Sequence, residues 1–189
     1  MQNLEIAIIQ CDLAWEDKKA NLKKFDAILD QLGKVDFVLL PETFNTGFSM
    51  DSKRLSETLE GGTLKWMKNW SQKLGAVICG SFIVEDNGIF NRLLAVKPDL
   101  SYQYYDKKHL FRMGGEQESY DAGNKKITIE YKNWKLNPFI CYDLRFPVWC
   151  RNTNNAEVMV FVSNWPEVRK EHWLSLIKAR AIENQCFVL

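Results

Sequence analysis

Apolar residues along this chain fall into two patterns, unbroken runs and single faces at helical spacing. Residues 4–10, "LEIAIIQ", and 36–42, "DFVLLPE", are short runs that predict buried strands, the second ended by a proline. Between them, "EDKKANLKKFDAILDQLG" places Leu22, Phe25, Leu29 and Leu32 on one face and predicts a helix that stops at Gly33. "TLKWMKNWSQKLG" repeats that pattern through Leu64, Met67, Trp70 or Ser71, and Leu74. "AVICGSFIVE", "GIFNRLLAVKP" and "LSYQYYDK" then predict three successive strands, the first two joined at Asp86-Asn87-Gly88. "KITIEYKNWKLNPFICYD" reads as a further hairpin turning near Asn133. "AEVMVFVSNWP" predicts a strand, "EHWLSLIKARAIENQ" a helix, and "QCFVL" the start of a last strand. The order implies an α/β fold whose sheet layers, with both parallel and antiparallel pairing, are covered by helices. No repeat, low-complexity segment or linker interrupts it, so one domain over 1–189 is expected.

Composition narrows the function. The chain has 189 residues, 46% hydrophobic and 26% charged, with a formal net charge of +1. That balance gives no electrostatic case for a nucleic-acid or membrane partner. No apolar run reaches membrane-spanning length, and "MQNLEIAIIQCDL" lacks a basic leader region and a cleavage site. The five cysteines, at 11, 79, 141, 150 and 186, form an odd set without a CxxC pair, against a disulfide framework or a zinc site. A reducing cytoplasm is the expected home.

Three polar residues share an unusual placement. Glu42 follows the apolar "FVLLP", Lys107 follows "YQYYD", and Cys141 follows "PFI". Functional groups in layered α/β folds gather beyond strand ends. A thiol, a carboxylate and an ammonium meeting there could carry out acyl transfer: attack on a carbonyl, proton movement, and stabilisation of the oxyanion. Each alone has a plainer explanation. Cysteine packs well in cores, Glu42 could cap a turn, and Lys107 could end a strand in solvent.

The words around them decide more. "LLPETF", "YDKKHLF" and "ICYDLRFP" occur in this order, accompanied by "GEQESYDAG", "VSNWP" and "HWLSLIKARAIENQ". Together they resemble the nitrilase, or carbon–nitrogen hydrolase, superfamily over essentially the whole chain. "PETFNTGFSM" and "HLFRMGGE" are most similar to its bacterial omega-amidase branch, which hydrolyses the side-chain amide of 2-oxo acids. The resemblance implies a four-layer α-β-β-α sandwich with mixed sheets. It implies Glu42 as general base, Lys107 as oxyanion stabiliser and Cys141 as nucleophile, with no metal or cofactor. Glu116 falls where a second active-site glutamate is expected, with Glu118 as its rival, and the Tyr142 N–H is the expected second oxyanion donor. Family members run further than Leu189, so the C-terminal part of the domain is expected to be missing. An open sheet edge and exposed apolar surface should then lie at the last strand.

The pocket is less defined. Arg145 either clamps a substrate carboxylate or forms an ion pair that braces the turn after Cys141, and Arg169 is a second available cation. Trp165 and Phe48 are the candidate substrate contacts, and Phe44, Phe111 and Met113 sit beside the same words. His109 would share the face of Lys107 on an extended strand, but the family word makes it structural. His172 is expected to cap or pack, and Cys11, Cys79, Cys150 and Cys186 to pack. The expected protein is a cysteine amidase, a homodimer, acting on a small amide such as 2-oxoglutaramate or 2-oxosuccinamate. The alternatives are a carbamoylase, aliphatic amidase or nitrilase, and a catalytically silent binding module.

Overall fold

The computed structural model describes residues 3–189. One sheet has five strands in spatial order β1 to β5: β1 (Ile6–Ile8), β2 (Phe37–Leu39), β3 (Val77–Glu85), β4 (Ile89–Val96) and β5 (Tyr102–Asp106). The other has four: β6 (Ile129–Tyr131), β7 (Trp134–Ile140), β8 (Val158–Val162) and β9 (Phe187–Val188). Both are mixed. β1, β2 and β3 pair in parallel and β3, β4 and β5 antiparallel; β6 and β7 are antiparallel, β7, β8 and β9 parallel.

Turn chemistry fixes the hairpins. Glu85 pairs with Ile89 across a turn in which Asn87 takes φ 51°. Tyr131 pairs with Trp134 across Lys132 and Asn133, both at positive φ, the two-residue geometry that matches strand twist. Helix α1 (Lys18–Leu29) starts at Asp17, whose side chain accepts the Ala20 N–H, and it ends four residues before Gly33, the expected stop. After the short α2 (Ser52–Leu55), α3 (Gly62–Leu74) closes on Gly75 in the left-handed region.

Two apolar layers result. Phe25 and Leu29 of α1 and Leu64, Met67 and Trp70 of α3 pack on the outer face of the five-stranded sheet, against Val38, Ile78 and Leu94. Its inner face, through Leu39, Val77, Leu93 and Tyr105, meets Leu136, Phe139, Met159 and Phe161 of the second sheet. Trp173, Leu176 and Ile177 of α4 (Lys170–Asn184) cover that second sheet. The layers are therefore α-β-β-α, as the resemblance implied. β9 is the outer strand of its sheet, and Phe187 there is 67% exposed. Among the described residues no helix is long and apolar enough to cross a membrane.

Candidate active site

Strand direction gathers the chemistry. β2 and β5 run the same way, so Glu42 and Lys107 emerge at one end of the five-stranded sheet. β7 and β8 are parallel, so Cys141 and Asn164 emerge together from the other sheet. A cavity of about 100 Å³ opens between these ends, lined by Glu42, Phe48, Lys107, Phe111, Cys141, Tyr142, Arg145, Asn164, Trp165, Pro166 and Arg169. Of the eight site residues expected from sequence, seven (Glu42, Phe48, Lys107, Cys141, Tyr142, Arg145 and Trp165) line it, and the eighth, Glu116, lies behind Lys107.

Both elbows are strained. Thr43, after Glu42, has φ 45°, and Cys141 has φ 44°, a conformation that residues with a Cβ seldom hold without support. Ser81 braces the first: its hydroxyl and carbonyl accept the N–H groups of Thr43 and Phe44. Asp143 braces the second. One of its oxygens accepts the Ile140 N–H (3.1 Å) and the Tyr105 hydroxyl (2.7 Å); the other accepts the His109 N–H at 2.9 Å and meets His109 Nδ1 at 2.8 Å. Trp149 Nε1 donates to Tyr105 in turn, extending the brace outward.

Lys107, Glu42 and Glu116 are all fully buried. Lys107 Nζ lies 2.8 Å from Glu42 Oε1 and 2.9 Å from both oxygens of Glu116. Burial pulls the ammonium toward its neutral form, but the charges of Glu42 and Glu116 override this and hold its pKa above the ordinary value. The Glu116 carboxyl is pushed up by burial; Lys107 opposes that, and the charge of Glu42 adds to it. Burial, with the charge of Glu42 next, also pushes the Cys141 thiol well up, while Lys107 pulls it down. Burial and the charge of Glu42 thus favour the protonated thiol at Cys141.

Two residues that sequence reasoning passed over complete the frame. Asn91 Nδ2 donates to Glu42 Oε1 at 2.9 Å and to Glu116 at 3.4 Å. Asn164 donates its backbone N–H to Glu42 Oε2 at 2.8 Å and its side-chain amide to the Glu42 carbonyl at 2.6 Å. Each had a signal, Asn91 as a polar break in the apolar "IFNRLLAV" and Asn164 in "VSNWP".

Other expectations are corrected by geometry. β5 ends at Asp106, so no extended strand carries His109 beside Lys107; its ring stacks on Phe146 at 3.7 Å and turns to Asp143. Arg145 forms no bracing ion pair with Asp143, whose oxygens are already taken; it meets His172 Nδ1 at 3.0 Å instead. Phe44 lies in the outer core against Phe25 and Phe82, and Met113 is 65% exposed. Glu118 is exposed, which leaves Glu116 as the glutamate on Lys107. The four other cysteines pack as expected, Cys79 and Cys150 inside the core and the half-buried Cys11 and Cys186 against it.

Two facing mixed sheets between helix layers, with thiol, ammonium and carboxylate around one cavity at the strand ends, define the nitrilase-like sandwich. The chain belongs to the carbon–nitrogen hydrolase family, whose model matches residues 5–189. It is 42% identical to the omega-amidase YafV of Escherichia coli, over the whole of this chain and 73% of that protein. It is 34% identical to a 2-oxoglutaramate amidase of Bacillus subtilis, over 97% of this chain and 73% of that one. The crystal structure of a CN-hydrolase superfamily protein from Xanthomonas campestris superposes with a TM-score of 0.97 at 43% identity, covering 100% of this chain and 75% of that one.

Proposed function

We propose that the protein is a cysteine amidase that hydrolyses the side-chain amide of a small 2-oxo dicarboxylic acid, such as 2-oxoglutaramate or 2-oxosuccinamate. The observation that carries this reading is the buried Lys107–Glu42 pair facing Cys141 across one small cavity. The names of the two amidase relatives support the substrate class. Glu42 accepts the thiol proton as Cys141 Sγ bonds to the amide carbon. The carbonyl electron pair moves to oxygen, where the Lys107 ammonium and the Tyr142 N–H stabilise it. Collapse breaks the C–N bond, Glu42 passes its proton to nitrogen, and ammonia leaves a thioester on Cys141. Water then gives a proton to Glu42 as it attacks, the C–S bond breaks, and the proton returns to sulfur. Neither step needs a metal or a cofactor.

Glu116 holds Lys107 charged and in place throughout. The reading includes a homodimer in a reducing cytoplasm, where the free cysteines stay thiols. Ammonia release from 2-oxosuccinamate, and the mass of intact protein quenched during turnover, test it. Wild-type protein should gain one acyl mass on Cys141, and Cys141→Ala should lose both adduct and turnover. An active Cys141→Ala variant, or an adduct on another cysteine, would refute it.

A further inference from the structure

The pocket holds more positive charge than its own carboxylates neutralise. Lys107 is shared by Glu42 and Glu116, but among the described residues no carboxylate lies within ion-pair distance of Arg145 or Arg169. Both line the cavity on aromatic beds. The Arg145 guanidinium lies 5.0 Å from the Trp165 ring centre and 5.9 Å from that of Tyr142; Arg169 lies 5.4 Å from that of Phe111. Such stacking orients a guanidinium without using its N–H groups; of those on Arg145, one Nη meets His172 Nδ1 at 3.0 Å.

Arg145 is the more telling of the two. Its Nε is buried and has no hydrogen-bond partner, an arrangement that costs free energy until an acceptor arrives. Arg169 is set by its own loop: its N–H donates to the Pro166 carbonyl, and its carbonyl accepts Trp165 Nε1, both at 2.9 Å. The ligand that satisfies such edges is planar and anionic, with two oxygens in reach of one fork.

The acceptors elsewhere in the pocket are already used. Glu42 Oε1 takes Lys107 and Asn91, and Glu42 Oε2 takes the Asn164 N–H. Glu116 lies behind Lys107 and does not line the cavity. An α-ammonium group on the substrate would face two unpaired cations and find no free carboxylate. A 2-oxo group at the same carbon adds an acceptor instead.

We propose that Arg145 and Arg169 form the acid-head subsite of the pocket, taking the carboxylate and 2-oxo oxygens of the amide and rejecting the same skeleton when it carries an α-ammonium group. The proposal rests on the amidase reading and names the two residues that set its selectivity.

Two measurements test it. The first compares kcat/KM for 2-oxosuccinamate, asparagine and the neutral propionamide in wild type, Arg145→Gln, Arg169→Gln and Arg169→Glu. Loss of a charged hydrogen-bond partner predicts that preference for 2-oxosuccinamate over propionamide falls about 10- to 100-fold in each Gln variant. Arg169→Glu should also narrow the gap between 2-oxosuccinamate and asparagine. An unchanged preference in both Gln variants, or wild type that turns over asparagine as fast as 2-oxosuccinamate, overturns the proposal. The second is calorimetric titration with 2-oxoglutarate, which needs no turnover. Wild type should bind and each folded Gln variant should bind about 10- to 100-fold more weakly; no binding to wild type, or equal binding by all three, overturns it. Absence of ammonia from every amide defeats the amidase reading alone, since the titration still reads the subsite.

Discussion

Both carboxylate oxygens of Glu116 lie 2.9 Å from the Nζ of Lys107, and neither side chain reaches solvent. Glu116 thus shares with Glu42 the task of keeping a desolvated cation charged. It also accepts the Phe111 N–H at 2.5 Å, which ties the loop over the cavity to the same carboxylate.

Glu116→Gln keeps the volume and an acceptor for Phe111 but removes the charge. Turnover should fall about 10- to 100-fold with the fold intact, because Lys107 then bonds Glu42 alone and the base is less free to move protons. Glu116→Leu leaves Phe111 unpaired as well, and should lower unfolding free energy by about 3–5 kcal/mol. Urea denaturation and steady-state rates check both; a fully active Gln variant with an equally stable Leu variant would remove Glu116 from the site.

Asn164 ties the two sheets together at Glu42 itself. Its side-chain amide reaches the Glu42 carbonyl at 2.6 Å and Thr43 Oγ1 at 3.3 Å, from the far side of the cavity. Asn164→Ala leaves that buried carbonyl without its partner, so stability should drop by about 1–3 kcal/mol. kcat should fall more than KM rises, since a loosened Glu42 matters most when protons move. A change confined to KM would make Asn164 a binding residue instead.

Much of this site could be read in advance, for a physical reason. Buried strands exclude polar groups, so Glu42, Lys107 and Cys141 stood out wherever an apolar run ended on one of them. Strand direction, which alone determines that these ends meet, is not written locally; it follows from the parallel β1–β3 and β7–β9 pairings. Asn91 escaped notice because one polar residue in "IFNRLLAV" looks like ordinary alternation, yet it is fully buried between two carboxylates. Phe44 and Phe48 flank one word, and only the turn at Thr43 and Gly47, both at positive φ, sends the first to the core and the second to within 4.9 Å of Lys107. The apolar spacing runs past the end of α1 because Leu32 still packs in the outer core after the helix has stopped.

Alkaline stability should report the buried thiols. Burial, with a smaller push from Asp143, raises the Cys150 thiol from 9.0 to about 12. The folded chain keeps this proton after the unfolded chain has released it. The contribution is therefore complete below pH 9 and is lost as pH rises toward 12. One such group steepens the fall by about 1.4 kcal/mol per pH unit in that window. Cys150→Ala costs a cavity at every pH but should flatten this slope; parallel wild-type and variant curves of unfolding free energy against pH would refute the assignment.

Gly123 connects a motif word to the position of Lys107. Its N–H donates to the Lys107 carbonyl at 2.8 Å, holding the chain just beyond β5. A Cβ at Gly123 would lie 2.7 Å from the Asp106 Cβ and 2.8 Å from its carbonyl carbon. Asp106 cannot easily yield, because both of its oxygens are held by the buried guanidinium of Arg92, at 2.6 and 3.0 Å. Gly123→Ala should thus push the backbone at Lys107 while leaving every catalytic side chain chemically intact. The expected loss is about 1–3 kcal/mol of stability, as for other overpacked sites. kcat should fall disproportionately, since displacement of Lys107, the proposed oxyanion donor, acts at the transition state. Thermal unfolding and steady-state kinetics of the variant separate the two effects. Wild-type kcat in a destabilised variant would mean that Lys107 holds its place through Glu42 and Glu116 alone.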